Sequence, residues 1–344
     1  MIRTLGPNLS APHLSANDPG FIAVHRAIGE IAAGRPVIIR DGLQAVLASP
    51  IDGGPILSGR MTLTAARAGY LGLEPAPTVV EAEPDRAVLS AIAMADAADV
   101  GRHMRAGSIA NAASELAKMA ERVPAMTLGS ASSAPPGTLA AHAGDVLSFR
   151  HALAATQRPI ASAPVPLAAG ATANVTAFRN AIGGTVTAVV VGDIDRGALV
   201  RVHSACVTGD ILGSLKCDCG AQLRLALGRI CSEGGIVLYT AQEGRGIGLA
   251  NKLRAYALQD KGLDTVDANI ALGFHDDERD YAAAGNVLAQ LGLSSIRLMT
   301  NNPTKAAGLA TQGISVEPVP LIGPVTPDNE RYLATKKTRS GHHL

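Results

Sequence analysis

The chain has 344 residues, which is enough for two domains of ordinary size. Its 30 lysines and arginines balance 29 aspartates and glutamates, so the formal net charge of +1 excludes the broad basic surface of a nucleic-acid or membrane-surface binder. The sequence has no spanning apolar run, no signal-like leader and only four cysteines, three of them clustered, so we expect a cytoplasmic protein without a disulfide framework.

The first 160 residues predict a small domain of mixed helices and strands. Residues 1–20 are rich in Pro and Ser and predict a disordered lead-in. From Phe21 an apolar stripe predicts a helix that ends at Gly34. Further elements are a strand over residues 36–41, helices over residues 63–73, 86–98 and 113–123, and a loop over residues 129–142. We therefore expect an N-terminal α+β domain over residues 21–160 and a linker over residues 161–175.

No motif in this N-terminal region predicts catalysis, because its four histidines are scattered without a ligand-spaced partner. The opening helix followed by AGRPVIIRD (residues 33–41) resembles the start of dihydroxybutanone phosphate synthase. That family places an acidic run directly after the strand, to hold a metal and a sugar phosphate. This chain instead continues RDGLQAV from Arg40. The missing carboxylates imply a degenerate or unrelated domain without that activity.

Residues 176–344 alternate strands with helices and therefore predict an α/β domain. The predicted strands cover residues 184–193, 198–203, 236–241, 295–300 and 314–321. The predicted helical stretches cover residues 223–230, the second half of 243–260, residues 278–291 and the residues from Pro303 onward. A polar loop is predicted through Thr265 and Asn269. Two domains, a smaller α+β domain and then an α/β domain, are the expected architecture.

Three of the four cysteines, Cys206, Cys217 and Cys219, follow the second of these strands with the spacing C-x10-C-x-C. Zinc takes cysteine thiolates, and a site with three protein ligands leaves its fourth position for a water molecule. Such a water is a source of hydroxide near neutral pH, so the spacing favours catalytic zinc. A structural zinc site completed by His203, or a redox cluster, is the alternative at this point.

Four further polar clusters follow predicted strands or helices: residues 242–248 (QEGRGIG), 254–256 (RAY), 276–280 (DDERD) and 300–305 (TNNPTK). Each has a plain structural interpretation, as a glycine-rich turn, a core tyrosine on a helix, a solvated helix start or a helix cap. Together they favour a ligand site, because open α/β sheets bind ligands outside the carboxyl ends of their strands. Glycines and helix N-termini at such positions suit phosphate groups.

These motifs, in order and from about residue 180 onward, resemble GTP cyclohydrolase II of riboflavin biosynthesis. The resemblance rests on RVHSACVTGDILGSLKCDCGAQL, QEGRGIGLANKLRAYALQDKGLDTVDAN, LGFHDDERDY, TNNPTK and PLIGPVTPDNERYLATK. It implies an enzyme that hydrolyses GTP, releasing formate from the imidazole ring and pyrophosphate from the triphosphate. It also implies one Zn²⁺ per subunit, Mg²⁺ with the GTP phosphates, and a homodimer.

The resemblance assigns roles residue by residue. It implies metal ligation by Cys206, Cys217 and Cys219, and catalysis by Tyr256, Asp277 and Arg279. The positions it implies for GTP binding are Arg201, Val202, His203, Ser204, Ala205, Gln222, Glu243, Gly244, Arg245, Thr265, Thr300 and Lys305. Within this set, Asp277 matches the proposed proton acceptor and Arg279 the proposed nucleophile at the α-phosphate, although a guanidinium is essentially always protonated. An electrostatic role for Arg279 is the alternative.

One position departs from the family pattern, since Ala205 stands where the family usually has a glutamate before the first cysteine. Loss of a group beside a metal can weaken metal binding or activity. Two alternatives to a GTP cyclohydrolase II therefore stay open: a paralogous enzyme serving uracil catabolism, and a nucleotide-binding zinc module without turnover. The fourth cysteine, Cys231, lies on an apolar helix and is predicted to be a packed core residue.

Overall fold

A computed structural model of the chain describes residues 15–74, 76–94, 100–194 and 197–341. The helices within these ranges are α1 (Pro19–Ala32), α2 (Ala65–Tyr70), α3 (Arg86–Met94), α4 (Ser108–Met119), α5 (Ala143–Ala154), α6 (Cys219–Glu233), α7 (Glu243–Gly246), α8 (Leu249–Asp260), α9 (Thr265–Ala271), α10 (Ala282–Gln290), α11 (Pro303–Ala310) and α12 (Glu330–Arg339). A 3-10 turn (Ala131–Ser133) and a π-helical turn (Val207–Ile211) accompany them.

The strands divide between two sheets of seven strands each. The strands of the first sheet are β1 (Val37–Asp41), β2 (Gln44–Pro50), β3 (Arg60–Leu63), β4 (Thr78–Glu81), β5 (Arg102–Arg105), β6 (Met126–Ser130) and β7 (Ala140–His142). Those of the second are β8 (Arg158–Pro166), β9 (Thr172–Arg179), β10 (Thr185–Val191), β11 (Ala198–Ser204), β12 (Gly235–Thr240), β13 (Ser295–Met299) and β14 (Ser315–Val319). The prediction of a two-domain α/β chain is confirmed.

Each sheet belongs to its own compact unit. The N-terminal unit comprises Leu14–Ala152 together with Ile247–Glu278, and the C-terminal unit comprises Leu153–Gly246 and Arg279–Leu344. This division differs from the expected one in two ways: the first unit ends at Ala152 rather than at residue 160, and residues 247–278 belong to the N-terminal unit rather than to the C-terminal domain. Among the described residues, no helix combines the length and apolarity needed to cross a bilayer.

The N-terminal unit is built on the strand order β5-β4-β3-β6-β2-β1-β7. Its strands pair antiparallel, except that β1 and β7 run parallel. Helix α1 begins with a proline, whose fixed φ suits the first helical turn, and buries the stripe Phe21, Val24, Ala27 and Ile31. A core between the sheet and its helices contains Met61, Leu63, Val80, Leu89 and Ile92. Residues 1–14, within the predicted lead-in, lie outside the described residues.

The C-terminal unit has the strand order β14-β13-β11-β12-β10-β9-β8. Four strands, β14, β13, β11 and β12, run parallel, and β10, β9 and β8 continue the sheet antiparallel. Parallel pairing brings the carboxyl ends of the four strands to one edge of the sheet. Apolar side chains of β11, β12 and β13 form the core with α10, and this core fixes where the strand-end residues lie.

Two sequence expectations differ from the structure in this half of the chain. Residues 161–175, expected to be a linker, lie mostly in the β8–β9 hairpin. The prolines that suggested a linker fit because β8 is the edge strand, where a missing N–H leaves no ladder bond unmade. Residues 265–269, expected to be a loop, begin helix α9, which Asp264 caps by accepting from the backbone N–H of Asp267.

Candidate active site

Three cysteine sulfurs converge in the C-terminal unit. Cys206 lies two residues after β11, Cys217 precedes α6 by two residues, and Cys219 is the first residue of α6. The Sγ atoms lie within 4.8 Å of one another, and those of Cys206 and Cys217 are 3.8 Å apart. Two sulfurs bound tetrahedrally to zinc at about 2.3 Å would be about 3.8 Å apart. The cluster therefore fits the predicted metal in donor type, donor number and spacing.

Backbone geometry around the π-helical turn brings the sulfurs together. The Sγ of Cys206 accepts from the backbone N–H of Gly209 at 3.3 Å. A Cβ on Gly209 would lie 3.0 Å from the Sγ of Cys217 and 3.1 Å from that of Cys206, so a side chain there would crowd the sulfurs. A Cβ on Gly220, in the first turn of α6, would overlap the carbonyl oxygen of Gly209. Two glycines thus let the turn and the helix approach closely enough to form the cluster.

The three cysteine sulfurs lie so close together that their thiolate forms are unfavourable without a bound cation. Hydrogen bonding to Cys206 raises the pKa of the Cys217 thiol, and burial adds a smaller increase. Hydrogen bonding to Cys206 and to Cys217 raises the pKa of Cys219 well above its ordinary value. Like charges so close together disfavour three free thiolates. A bound divalent cation would reverse this balance, since zinc binds thiolates rather than thiols.

A buried polar network supports the strand that leads into Cys206. The Nε2 atom of His203 lies 3.1 Å from a carboxylate oxygen of Asp210. The other oxygen of Asp210 accepts from the backbone N–H of Cys206 and from the Tyr239 hydroxyl, both at 3.0 Å. Burial lowers the pKa of His203 despite the carboxylate beside it. His203 is the fourth metal ligand that a structural zinc site would need, but its Nε2 is engaged with Asp210. Among the described residues, the candidate ligand group contains only the three cysteines.

A second buried network links the cluster to two other elements. Asp218, between the two later cysteines, pairs with the ammonium of Lys336 on α12 at 2.8 Å. Its second oxygen accepts from the Gln222 side chain at 2.6 Å, and Gln222 in turn accepts from the guanidinium of Arg201. Arg201 also donates to the carbonyl of Met299 at 2.9 Å, and burial lowers its pKa to about 10. The predicted GTP-binding residues Arg201 and Gln222 are thus buried and held by protein partners.

The neighbouring strand ends contribute further predicted residues. After β12, the carboxylate of Glu243 accepts from the backbone N–H of Val207 at 2.6 Å. Gly244 and Arg245 both have positive φ, so α7 is a left-handed turn rather than a regular helix. After β13, the hydroxyl of Thr300 accepts from a backbone N–H at 3.0 Å, and the ammonium of Lys305 donates to the carbonyl of Val202 at 2.8 Å. Residues 242–248 and 300–305 thus follow parallel strands of the second sheet, as predicted. For the other two clusters the prediction is wrong, since residues 254–256 lie within α8 and residues 276–280 follow α9.

The remaining predicted residues differ in exposure and in location. The side chain of Val202 is 1% exposed in the apolar core, so only its backbone is available to a ligand. Ser204 is half-buried at the end of β11, and the next residue, Ala205, donates its N–H to the carbonyl of Thr240 at 2.8 Å. Arg279 lies in the C-terminal unit, with its guanidinium carbon 5.8 Å from the ring centre of Tyr281. Tyr256, Thr265 and Asp277 belong to the N-terminal unit.

Several residues around the cluster have no role that the sequence predicts. Asp210 lies within the quoted motif, and its position four residues after Cys206 could have suggested a turn cap. Lys336 and Tyr332 lie in the quoted C-terminal motif, but nothing in the sequence connects them to Asp218. Helix α12 places the Lys336 ammonium 4.3 Å from the ring centre of Tyr332, and burial raises the pKa of that tyrosine well above its ordinary value.

Comparison with known proteins gives a consistent result. The family described as GTP cyclohydrolase II matches residues 157–320. The chain is 48% identical over 253 residues to a GTP cyclohydrolase-2 of Azospirillum brasilense, covering 70% of this chain and 66% of that protein. It is 56% identical over 161 residues to the riboflavin biosynthesis protein RibBA of Bacillus mycoides (strain KBAB4), covering 46% of this chain and 41% of that protein.

The chain therefore spans about two thirds of the Azospirillum protein and less than half of the Bacillus protein. A shorter relative is matched more completely. The GTP cyclohydrolase-2 of Yersinia pestis is 55% identical over 161 residues, which cover 46% of this chain and 82% of that protein. With most of a relative matched at this identity, the chain belongs to the GTP cyclohydrolase II family.

Proposed function

We propose that this protein hydrolyses GTP in a zinc-dependent reaction that releases formate and pyrophosphate. The remaining product is 2,5-diamino-6-(5-phosphoribosylamino)pyrimidin-4(3H)-one, and the reaction is the first step of riboflavin biosynthesis. Membership of the GTP cyclohydrolase II family supports the reaction class. The observation that carries the proposal is the cysteine cluster, three sulfurs within 4.8 Å at the carboxyl end of β11.

The cluster suits hydrolysis because three protein ligands leave one position of a tetrahedral zinc for water. Zinc held by Cys206, Cys217 and Cys219 would activate a water for attack on the guanine imidazole carbon next to the ribosyl nitrogen. The task of the chain is to keep the thiolates in place. Asp210 and Glu243 do this by accepting the backbone N–H groups of Cys206 and Val207, at the start of the π-helical turn.

Charged groups at the strand ends suit a nucleotide triphosphate. We assign the guanine base to the Glu243 carboxylate, which can accept from the ring N–H and the exocyclic amine that distinguish guanine from adenine. We assign the triphosphate to the half-buried Arg245. Arg201 and Lys305 are buried and hydrogen-bonded to other protein groups, so contact of their side chains with GTP stays a prediction of the family resemblance. Mg²⁺ would accompany the phosphate groups, as it does for nucleotides in general. Binding by the other residues that the family resemblance assigns stays a prediction.

Three residues are assigned to the chemical steps. The Tyr256 hydroxyl would assist at the imidazole carbon as a proton donor or acceptor. Asp277 would accept a proton at the α-phosphate. Arg279 would act as the nucleophile at the α-phosphate, as the resemblance implies. The alternative role is electrostatic stabilisation of the phosphate, because a guanidinium keeps its proton at neutral pH.

Ala205 supports a second candidate function. Where the family has a glutamate, this chain offers only a methyl group beside the first metal ligand, while its backbone N–H is held by Thr240. A paralogous enzyme serving uracil catabolism, acting on GTP or a related purine or pyrimidine nucleotide, would keep the zinc and the strand-end charges. Turnover of GTP measured beside other nucleoside triphosphates separates the two candidates: preference for another nucleotide would favour the second.

The direct test is incubation of the zinc-loaded protein with GTP, with formate and pyrophosphate measured separately. Release of both is expected. Replacing Cys217 by Ser should abolish formate release and lower the bound zinc below one ion per chain, because the cluster would lose a thiolate. Cys231→Ser is the matched control, since Cys231 is a free cysteine of α6 that packs in the apolar core.

If the wild-type protein releases neither formate nor pyrophosphate, the enzyme proposal is contradicted and a zinc-binding module without turnover is favoured. Formate release by Cys217→Ser at the wild-type rate would show that the cluster is not the catalytic metal site. Release of only one product by the wild-type protein would separate the ring-opening step from the pyrophosphate step.

A further inference from the structure

The region that matches the GTP cyclohydrolase II family is not confined to one structural unit. Residues 157–246 and 279–320 of the matched range lie in the C-terminal unit, whereas residues 247–278 lie in the N-terminal unit. This segment, which we term the inserted segment (residues 247–278), carries Tyr256, Thr265 and Asp277. Residues 15–152 lie outside the region that matches the family, yet the inserted segment packs with them in one unit.

Buried hydrogen bonds hold the backbone of the inserted segment against residues 15–152. The hydroxyl of Thr64 donates to the carbonyl of Gly273 at 2.6 Å, and the guanidinium of Arg67 donates to the carbonyl of Ala271 at 2.7 Å. Arg67 is 1% exposed, and its Nε donates to the carbonyl of Ile92 at 2.8 Å. A buried arginine that bridges backbone carbonyls from two parts of the chain fixes their spacing.

Helix α8 of the inserted segment is held in a similar way. The side-chain amide of Asn251, which is fully buried, donates to the carbonyl of Glu121 at 2.9 Å. The guanidinium of Arg254 lies 3.2 Å from the carboxylate of Asp52. Tyr256 is two residues further along the same helix. The position of this proposed catalytic tyrosine therefore depends on contacts that α8 makes with residues 15–152.

An ion pair between α4 and Glu278 links the N-terminal helices to residues 276–280, which we term the acidic run. The ammonium of Lys118 lies 2.8 Å from the Oε1 atom of Glu278, and the two side chains are only 7% and 12% exposed. The same oxygen accepts from the backbone N–H of His275 at 2.8 Å. The Glu278 carboxylate thus closes the turn that contains Asp277, and Lys118 ties that turn to α4.

We propose that α4 positions the acidic run of the inserted segment, and that Lys118 is a positioning residue for Asp277. The inference rests on the proposed function in that Asp277 acts on the α-phosphate. A displacement of about 1 Å in a group that acts on the substrate can lower the rate on the order of a hundredfold. The N-terminal unit then contributes to catalysis through the position of Asp277.

Three variants of the full-length, zinc-loaded protein test the proposal. Lys118→Met keeps the length of the side chain and removes its charge, Lys118→Arg restores the charge, and Lys261→Met removes an exposed lysine of the inserted segment as a control. We expect Lys118→Met to lower kcat for GTP by about tenfold or more, with KM changed less than about twofold. Lys118→Arg should recover part of kcat, and Lys261→Met should match the wild type.

Hydrogen–deuterium exchange of the peptide covering residues 270–280 gives a readout that does not need activity. Exchange in this peptide should be at least about fivefold faster in Lys118→Met than in the wild type, because the turn loses its tie to α4. Exchange in α1 should be unchanged. The proposal would be overturned if folded Lys118→Met exchanged residues 270–280 at the same rate as the wild type, or if its kcat for GTP equalled that of the wild type.

Lys118→Met leaves a buried carboxylate without its partner and can fail to fold. In that case the double variant Lys118→Met with Glu278→Met removes both charges, a replacement that often preserves stability. Wild-type exchange over residues 270–280 in the folded double variant would equally overturn the proposal. If the wild-type protein releases neither formate nor pyrophosphate, the proposed function fails, and the exchange measurement alone decides the positioning role.

Discussion

Gly220 occupies the point where α6 meets the π-helical turn. A methyl group there would overlap the carbonyl oxygen of Gly209 and push the turn away from the helix. We expect Gly220→Ala to weaken zinc binding at least about tenfold, although alanine is the better helix former. Competition with a chromophoric chelator measures the affinity.

Gly228→Ala is the matched control for this substitution. Gly228 lies in the same helix, and a Cβ added to it meets no atom within 4 Å. The control should keep the zinc affinity and raise the free energy of unfolding by roughly 0.5–1 kcal/mol. Equal zinc affinities in the two variants would show that the approach of Gly220 to the turn does not shape the cluster.

Asp52 gives a prediction of pH dependence in the N-terminal unit. Burial raises the pKa of this carboxyl above its ordinary value of about 3.9, and the nearby Arg254 and Arg122 offset only part of the effect. The folded state therefore binds the proton more tightly than the unfolded state. Stability from this group is greatest below the ordinary pKa and is lost as pH rises through the folded pKa.

Denaturant unfolding of the wild type and of Asp52→Asn between pH 4 and pH 7 measures this effect. The free energy of unfolding of the wild type should fall relative to that of the variant as pH rises through the folded pKa. Glu83→Gln, which removes an exposed carboxylate of the same unit, should leave the pH dependence unchanged. A free energy of unfolding of the wild type that rises relative to that of Asp52→Asn with rising pH would contradict the assignment.

At the scale of elements, α12 stabilises the segment that carries the three cysteines (residues 206–219, the metal loop). Its Lys336 pairs with Asp218, and the two side chains are 9% and 1% exposed. Lys336→Met should lower the free energy of unfolding by about 3 kcal/mol or more, because a buried carboxylate would lose its partner. It should also speed the release of zinc to a chelator, since Asp218 lies between two ligands of the cluster.

Lys337→Met provides the comparison, because Lys337 is exposed on the same helix. Its effect on stability should stay within about 0.5 kcal/mol. If Lys336→Met and Lys337→Met release zinc at the same rate, α12 has no part in holding the metal loop.

The elements also separate what local patterns can predict from what they cannot. The apolar stripe of α1, the strand β11 and the cysteine spacing are local signals, and the structure has each of them where it was expected. The hairpin of β8 and β9 was missed because its prolines are acceptable only at a sheet edge, and edge position is a property of the tertiary fold. Helix α9 was missed because its polar residues hid a buried stripe that includes Val266 and Ala268.

For the candidate site, the sequence alone predicts the polar clusters at the strand ends, but it does not predict the long-range ion pairs that support the site. Lys336 lies 118 residues from Asp218, and Lys118 lies 160 residues from Glu278. No periodicity or motif connects residues so far apart. The assignment of residues 247–278 to the N-terminal unit was missed for the same reason, because family resemblance follows the chain rather than the packing.

At the scale of the whole molecule, the two units should respond differently to loss of the metal. A ligand bound only to the folded state adds about 2.7 kcal/mol when its concentration is a hundred times its Kd. Chelation of zinc should therefore speed hydrogen exchange in the C-terminal unit, for example in α6, and leave the core of the N-terminal unit, for example α4, nearly unchanged. Equal loss of protection in both units would contradict separate stabilisation.

The inserted segment also makes the N-terminal unit discontinuous along the chain. During synthesis residues 15–152 leave the ribosome first, but their unit is complete only when residue 278 has been made. At about 5–20 residues per second, this delay is on the order of ten seconds. Groups of residues 15–152 that later contact this segment, such as Met94, Thr64 and Arg67, stay open to water throughout, so nascent chains of this protein have a long interval in which a chaperone can bind them.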